Sequence, residues 1–336
     1  MSSPSILYLD QNMWIAVAQG VKDPGRYPEA YAVVELLVAL GMAGEFTIPL
    51  SFTNIYETHK VNDPDRRAHL AWVQASLSQG KVFRGRRALL REQLIDHLSI
   101  VFSIAGPTRS HQWFLSEVFF EAVADYDPEV FGVTLSDRFM TWIRDDPPRA
   151  LFSYLTDKSE TNRASAVRKY SAGSSDLIAR LEAQRELVNG ESLAMRKRVH
   201  SARLLIDHLD LIFSLARELS LPISTVSDLG RSRARALVAQ VPAFHIEREL
   251  AAITENEMRS INENDLRDLA ALNIVLPYAD IVVGEKAFIN RARQARLGNH
   301  YGTILLTSIS ELREHLLDMA ESIKQNSSEV GRIAHQ

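Results

Sequence analysis

The chain has 336 residues, 46% of them hydrophobic and 24% charged, so it can bury a sizeable core and is longer than the usual single domain of about 100 to 200 residues. Its first apolar run stops at Asp10 and no window approaches the roughly 18 uncharged apolar residues of a membrane span, which argues against both a span and a signal peptide and makes the cytoplasm the expected location. With no cysteine there are no disulfides, thiolate zinc sites or cysteine nucleophiles, so any metal is expected to be a hard cation held by oxygen, Mg²⁺ or Mn²⁺.

Ile6 to Leu9 read as a short buried strand ending in Asp10, a position that fixes the backbone and leaves the carboxylate open to an ion. A helix start follows at MWIAVAQG, then KDPGRYP, then a helix from Glu29 to about Met42 with apolar positions Ala32, Val33, Leu36, Leu37 and Leu40. Gly41 and Gly44 stop it. EFTIPLS reads as a second buried strand whose pairing Pro49 should cut short. Ser51, Thr53 and Asn54 are candidate caps for a helix that carries Glu57 one turn in, at the same sheet edge as Asp10.

From about 65 to 255 the period is helical, with helices expected over 69–80, 87–105, 111–125, 176–219 broken at Gly190, and 230–240, and no strand. LIDHLSIVFSIA (94–105) is echoed by LIDHLDLIFSLA (205–216), eight identities in twelve at an offset of 111. Ile95, Leu98 and Phe102 share a face, which favours core packing over a functional repeat. Each copy has an arginine upstream of its histidine, Arg91 to His97 and Arg203 to His208, a spacing shared with the helical HEPN ribonucleases. The net charge of -4 does not recommend a nucleic-acid partner, yet arginines cluster at 84–91, 196–203, 231–235 and 291–296. Loops are expected at 145–150, 171–176 and 221–232.

Past 255 the alternation of helix and strand returns: a helix from about Asn264 to Ile274, a turn at Pro277, a strand ADIVVG, a basic helix from Lys286 to about Leu297, a strand TILLT, a helix over 309–324 and a frayed, disordered tail over 326–336. The expected fold is α/β: a parallel-sheet core assembled from residues 1–64 and 256–325 and interrupted by an all-helical insertion over 65–255.

Asp265 and Asp268, three apart, share a helix face; one of them can cap the helix, which makes Asp268 the better ligand candidate. Asp280 and Glu285 bracket one strand and stand roughly 16 Å apart at about 3.3 Å per residue, so only one can serve a given ion cluster. Glu285 ranks above Asp280, because the helix carrying Asp268 should begin at the carboxyl edge. Carboxylates converging there would repel one another unless cations neutralise them, the physical case for one or two Mg²⁺ or Mn²⁺ ions. Two such ions activate a water and stabilise a leaving oxygen in phosphodiester cleavage.

YLDQN after the first strand, a Glu in the helix after the second, ND-x-x-D opening a late helix and an acid after the next strand together resemble the PIN-domain nuclease family over about residues 4–62 and 260–320. The resemblance implies a Rossmann-like core, Mg²⁺- or Mn²⁺-dependent phosphodiesterase activity on single-stranded or structured RNA, and the family's acidic roles at Asp10, Glu57, Asp268 and Glu285. It also implies that Asn12 orients water or Asp10, and a toxin or phage-defence setting. The last acid is Glu where the family usually has Asp, and the insertion far exceeds that of small members. Lys286, Arg291, Arg293 and Arg296, on a helix leaving the metal edge, are the expected phosphate contacts. The leading expectation is an endoribonuclease whose insertion selects a substrate or a protein partner, with a homo-oligomer left open. The alternatives are a silent PIN-like scaffold and a flap-type DNA nuclease.

Overall fold

The computed structural model describes residues 3–123, 136–157, 167–168, 175, 177–183, 185–255 and 259–333. Four parallel strands form the central sheet: β1 (Ser5–Leu9), β2 (Phe46–Thr47), β5 (Ile281–Val283) and β6 (Ile304–Leu306), in the order β2-β1-β5-β6. The register pairs Ile6 with Thr47 on one side and Tyr8 with Val282 on the other, so strands from opposite ends of the sequence lie side by side at the centre. Alternation sends Leu7 and Leu9 into one apolar layer and Ile6 and Tyr8 into the other, as expected of a sheet covered on both faces. Because all four strands run the same way, Asp10, Ser51, Glu285 and Thr307 all follow strands at one carboxyl edge.

Asp10 caps α1 (Gln11–Lys22) by accepting the Met13 N–H at 2.9 Å, and α2 (Pro28–Met42) returns the chain to β2. The second strand keeps only two residues; beyond Pro49 the chain makes one further bridge, Leu50 to Val82. Ser51 and Asn54 form a reciprocal cap on α3 (Phe52–Lys60). Then come α4 (Pro64–Ser78), β3 (Val82–Phe83), α5 (Arg86–Val101), β4 (Leu115–Ser116) and α6 (Phe120–Val123). The expectation of no strand over 65–255 is corrected here, since β3 and β4 pair antiparallel. The expected helix over 111–125 is likewise replaced by a turn, β4 and α6. The Ser116 hydroxyl accepts the Val118 N–H at 3.0 Å, a local bond that competes with helix formation.

The chain continues through α7 (Asp137–Asp145), α8 (Pro147–Leu155), α9 (Leu193–Asp207), α10 (Leu209–Glu218), α11 (Val226–Gln240) and α12 (Pro242–Thr254). The 145–150 turn is confined to Asp146 between α7 and α8, and most of the 171–176 loop lies outside the described residues. The two copies of the echo fold differently. α5 runs past His97 to Val101, whereas the second copy breaks at His208, after which Asp210 sits in the first turn of α10, where the helix dipole favours an acid. Leu94, Ile95 and Leu98 of one copy and Ile212, Leu215 and Ala216 of the other share one apolar cluster, with Phe102 packed against it. Arg91 is taken by Glu218, at 2.7 Å, and Glu92, and does not join His97 in a polar site.

The core returns with α13 (Glu263–Val275), β5, α14 (Lys286–Gln294), α15 (Leu297–Tyr301), β6 and α16 (Ile309–Ile333). The basic helix thus ends earlier than expected, with Arg296 left-handed at φ +57°. α16 runs through residues 326–333 of the expected tail. The 65–255 segment does not stand apart from the core. Leu70, Val73, Ile143, Leu151 and Leu155 share a cluster with Leu7, Leu9, Leu312 and Leu316, and Phe83, Leu89, Ile246 and Leu250 share another with Tyr8 and Val282.

Candidate functional site

At the carboxyl edge of the sheet lies a cleft of about 230 Å³ lined by Asp10, Asn12, Glu57, Asp268 and Glu285, together with Tyr8, Gln11, Thr53, Asn264 and Arg267. The acids reach it from four elements: the end of β1, α3, the second turn of α13 and the end of β5. Asp10 is the most constrained. One oxygen accepts the Met13 N–H at 2.9 Å and the other accepts the Glu285 N–H at 2.7 Å, so its carboxylate joins the ends of β1 and β5. Gly284 makes this approach possible: a Cβ there would stand 2.7 Å from the Phe288 ring and 3.4 Å from Asp10 Oδ2.

Burial lifts the Asp10 carboxyl to about pKa 6, partly opposed by its two backbone hydrogen bonds and reinforced by the charges of Glu57 and Glu285. Asp268, half-buried, is pushed to about 7, first by burial and then by Asp10, Asp265 and Glu285, against the pull of Arg291 at 3.8 Å. Burial also raises Glu57, opposed mainly by Arg267, which donates to it at 2.6 Å. Arg267 also donates to the side chain of Asn264. Beneath the acids the Tyr8, Ser51 and Thr53 hydroxyls form a buried chain, Tyr8 to Ser51 at 3.1 Å and Ser51 to Thr53 at 2.6 Å. The Tyr8 phenol is pushed up by burial, so it stays protonated and can donate.

Two acids expected as ligands lie outside the cleft. Asp265 completes the cap of α13 with Asn262 and accepts from Arg259 and, at 2.8 Å, from Arg291. Burial alone would raise its carboxyl, but hydrogen bonds from Arg259 and Asn262 and the charges of Arg291 and Arg259 hold it below the usual range. Asp280 is at the opposite, amino edge, where it accepts the Ile6 N–H at 2.7 Å. The expected phosphate-binding row also divides. Lys286 and Arg296 are exposed, whereas Arg293 donates to the Leu305 carbonyl at 2.6 Å and Arg291 is buried against Asp265 and Asp268. Arg291 is therefore corrected from surface contact to interior partner. In the 84–91 cluster, Arg84 pairs with Glu121 and Arg86 with Glu247.

Sequence reasoning passed over Arg267 and Tyr8, and took Thr53 only as a candidate helix cap. Arg267 sits between the two acids singled out, and Tyr8 is the one polar-tipped side chain of β1 on its face, a signal visible in the alternation itself. The cleft offers oxygen donors and no imidazole, which suits Mg²⁺ or Mn²⁺, and a dication would favour the charged forms that burial and, less, mutual repulsion disfavour at Asp10 and Asp268. Among the described residues, however, no three acid or histidine side chains are already gathered around one ion position. Comparison of the chain with protein families, curated proteins and solved structures found no match.

Proposed function

We propose that this chain is a metal-dependent nuclease with a PIN-like, Rossmann-like core, cleaving RNA in preference to DNA. The observation that carries the reading is the convergence of Asp10, Asp268 and Glu285 with Glu57 in one cleft at the carboxyl edge of a parallel sheet, where burial and mutual repulsion favour a bound cation. Asp10, Asp268 and Glu285 would hold Mg²⁺ or Mn²⁺, which when bound supplies charge neutralisation and water activation for phosphodiester hydrolysis. Asp10 is fixed by the N–H groups of Met13 and Glu285, so it enters the cleft already oriented. Arg267, engaged with Glu57, stands where it can face a phosphate oxygen, and exposed Asn12 at the rim is placed to hydrogen-bond water or substrate.

A second reading, a silent scaffold of the same fold, draws on the Arg267–Glu57 pair, which neutralises one of the four acids without a metal. Purified protein incubated with single-stranded RNA and DNA in Mg²⁺ and in Mn²⁺ decides between them. The nuclease reading expects cleavage that EDTA and Asp10→Ala both abolish; no cleavage of either polymer leaves the scaffold, and full activity in Asp10→Ala removes this cleft as the cutting site. Preference for DNA would move the reading to a flap-type nuclease.

A further inference from the structure

Resting on that reading for its class of ligand, we propose that a second, larger groove along α1 is a binding subsite for single-stranded nucleic acid leading to the carboxylate cleft. The groove, about 460 Å³, lies where the C-terminal half of α1 meets Tyr27 and α4. Its apolar floor is Ile15, Ala18, Val61 and Leu70. Gln11 and Asn12 line the cleft, while Ile15, Ala18, Gln19 and Lys22 line the groove. Those positions recur at three and four, so cleft and groove share one face of a single helix. At 1.5 Å per residue, Asp10 and Lys22 are about 18 Å apart along the axis. With at least about 3.4 Å of strand per nucleotide, a chain held at Lys22 would reach Asp10 within about five nucleotides.

The lining suits a polymer of alternating phosphates and bases. Lys22, Arg26 and Arg66 are exposed around the groove, and none makes an ion pair with a described carboxylate. Of the acids, Asp23 lines the groove and its side chain is held by the Arg26 N–H at 3.1 Å, while Asp63, which feels the charges of Arg66 and Lys22, and Asp65 stand beside Arg66 outside the lining. Within the lining itself three cations meet one acid, on a chain of net charge -4. Tyr27 offers a ring over which Arg26 already lies, 5.3 Å from its centroid. His69 donates from Nε2 to the Ala18 carbonyl at 2.7 Å, and its ring stacks at 24° on Trp72, which is 53% exposed. Cations for phosphates beside aromatic faces for bases are the means by which proteins hold single strands without reading sequence.

The test is fluorescence anisotropy of a labelled single-stranded RNA of about 12 nucleotides, in EDTA so that binding is separated from hydrolysis. The combined variant Lys22→Glu, Arg26→Glu, Arg66→Glu should bind at least about tenfold more weakly, and its salt dependence should be shallower by about 2 in log–log slope, for three phosphates at about 0.7 each. Tyr27→Ala should weaken binding about fivefold or more. The three charged positions are exposed, so unchanged melting curves should accompany the loss. Wild-type protein that binds in this way but cleaves nothing keeps the groove and defeats the nuclease reading. Wild-type protein that cleaves, with the triple variant binding equally well, keeps the nuclease and overturns the groove, and absence of wild-type binding overturns it too.

Discussion

The two edges of the β1–β5 pair make an informative contrast, because the same residue type makes the same kind of bond at each. Asp280 Oδ2 accepts the Ile6 N–H at the amino edge, and Asp10 Oδ2 accepts the Glu285 N–H at the carboxyl edge, both at 2.7 Å. What differs is the company. Asp10 opens onto a cleft with three other acids, whereas Asp280 does not line it. A strand-end aspartate is thus a structural clamp by default and becomes a functional candidate when other elements bring further acids to it.

The contrast breaks most visibly at Asp10. Asp10→Asn keeps an oxygen for Met13 but places an amide near the Glu285 N–H, and should lower Mg²⁺-dependent cleavage by more than about a hundredfold, beyond the 10- to 100-fold of an outer-shell change. Unchanged rates would remove the distinction between the edges. Next comes Arg267→Met, which leaves Glu57 without its closest cation in a partly buried setting. It should cost about 1 to 3 kcal/mol in denaturant titration, the buried-pair penalty discounted for exposure. If Arg267 competes with the ion for Glu57, Mn²⁺ affinity by calorimetry should rise; weaker binding would show that the pair supports the site.

Proton linkage sharpens the comparison further. Asp10 and Asp268 ionise near 6 and 7 in the folded chain against 3.8 ordinarily, so between about pH 4 and 7 the folded state holds protons that the unfolded state has released. Their contribution to stability therefore falls as pH rises through that window. In EDTA, wild type should lose more melting temperature between pH 5 and pH 8 than Asp268→Asn does, and Mn²⁺ at pH 8 should restore it. Parallel pH profiles would show that Asp268 ionises freely. The smallest effect belongs to Asp280→Asn, which should cost about 1 kcal/mol and leave metal affinity unchanged.

Much of this plan was legible in the sequence. Short apolar runs ending in acids marked β1 and β5, Pro49 marked the early end of β2, and the strand length of about 16 Å separated Asp280 from Glu285. What was not legible depended on contacts between distant segments. Arg291 looked like any residue of a basic helix, and only the packing of α14 against α13 brings it to Asp265 and Asp268. The echoed segment makes the same point: eight shared residues gave one continuous helix and one broken at His208, so local sequence left the backbone undetermined. The groove beside α1 went unnoticed because Lys22, Arg26 and Arg66 belong to no dense basic run in the chain.

The pairing of β1 with β5 across more than 270 residues also sets when the cleft can exist. During synthesis at about 5 to 20 residues per second, β1 waits roughly 15 to 55 s for its central neighbour to be made. Until then one side of the first strand is an open edge of apolar backbone, exposed to pairing with other chains. Asp10 meanwhile has no Glu285 N–H to receive and, of the cleft acids, can meet only Glu57, since Asp268 and Glu285 are made late. A cleft assembled this way appears only after most of the polypeptide has been made, so a nascent chain carries its cleft carboxylates still apart.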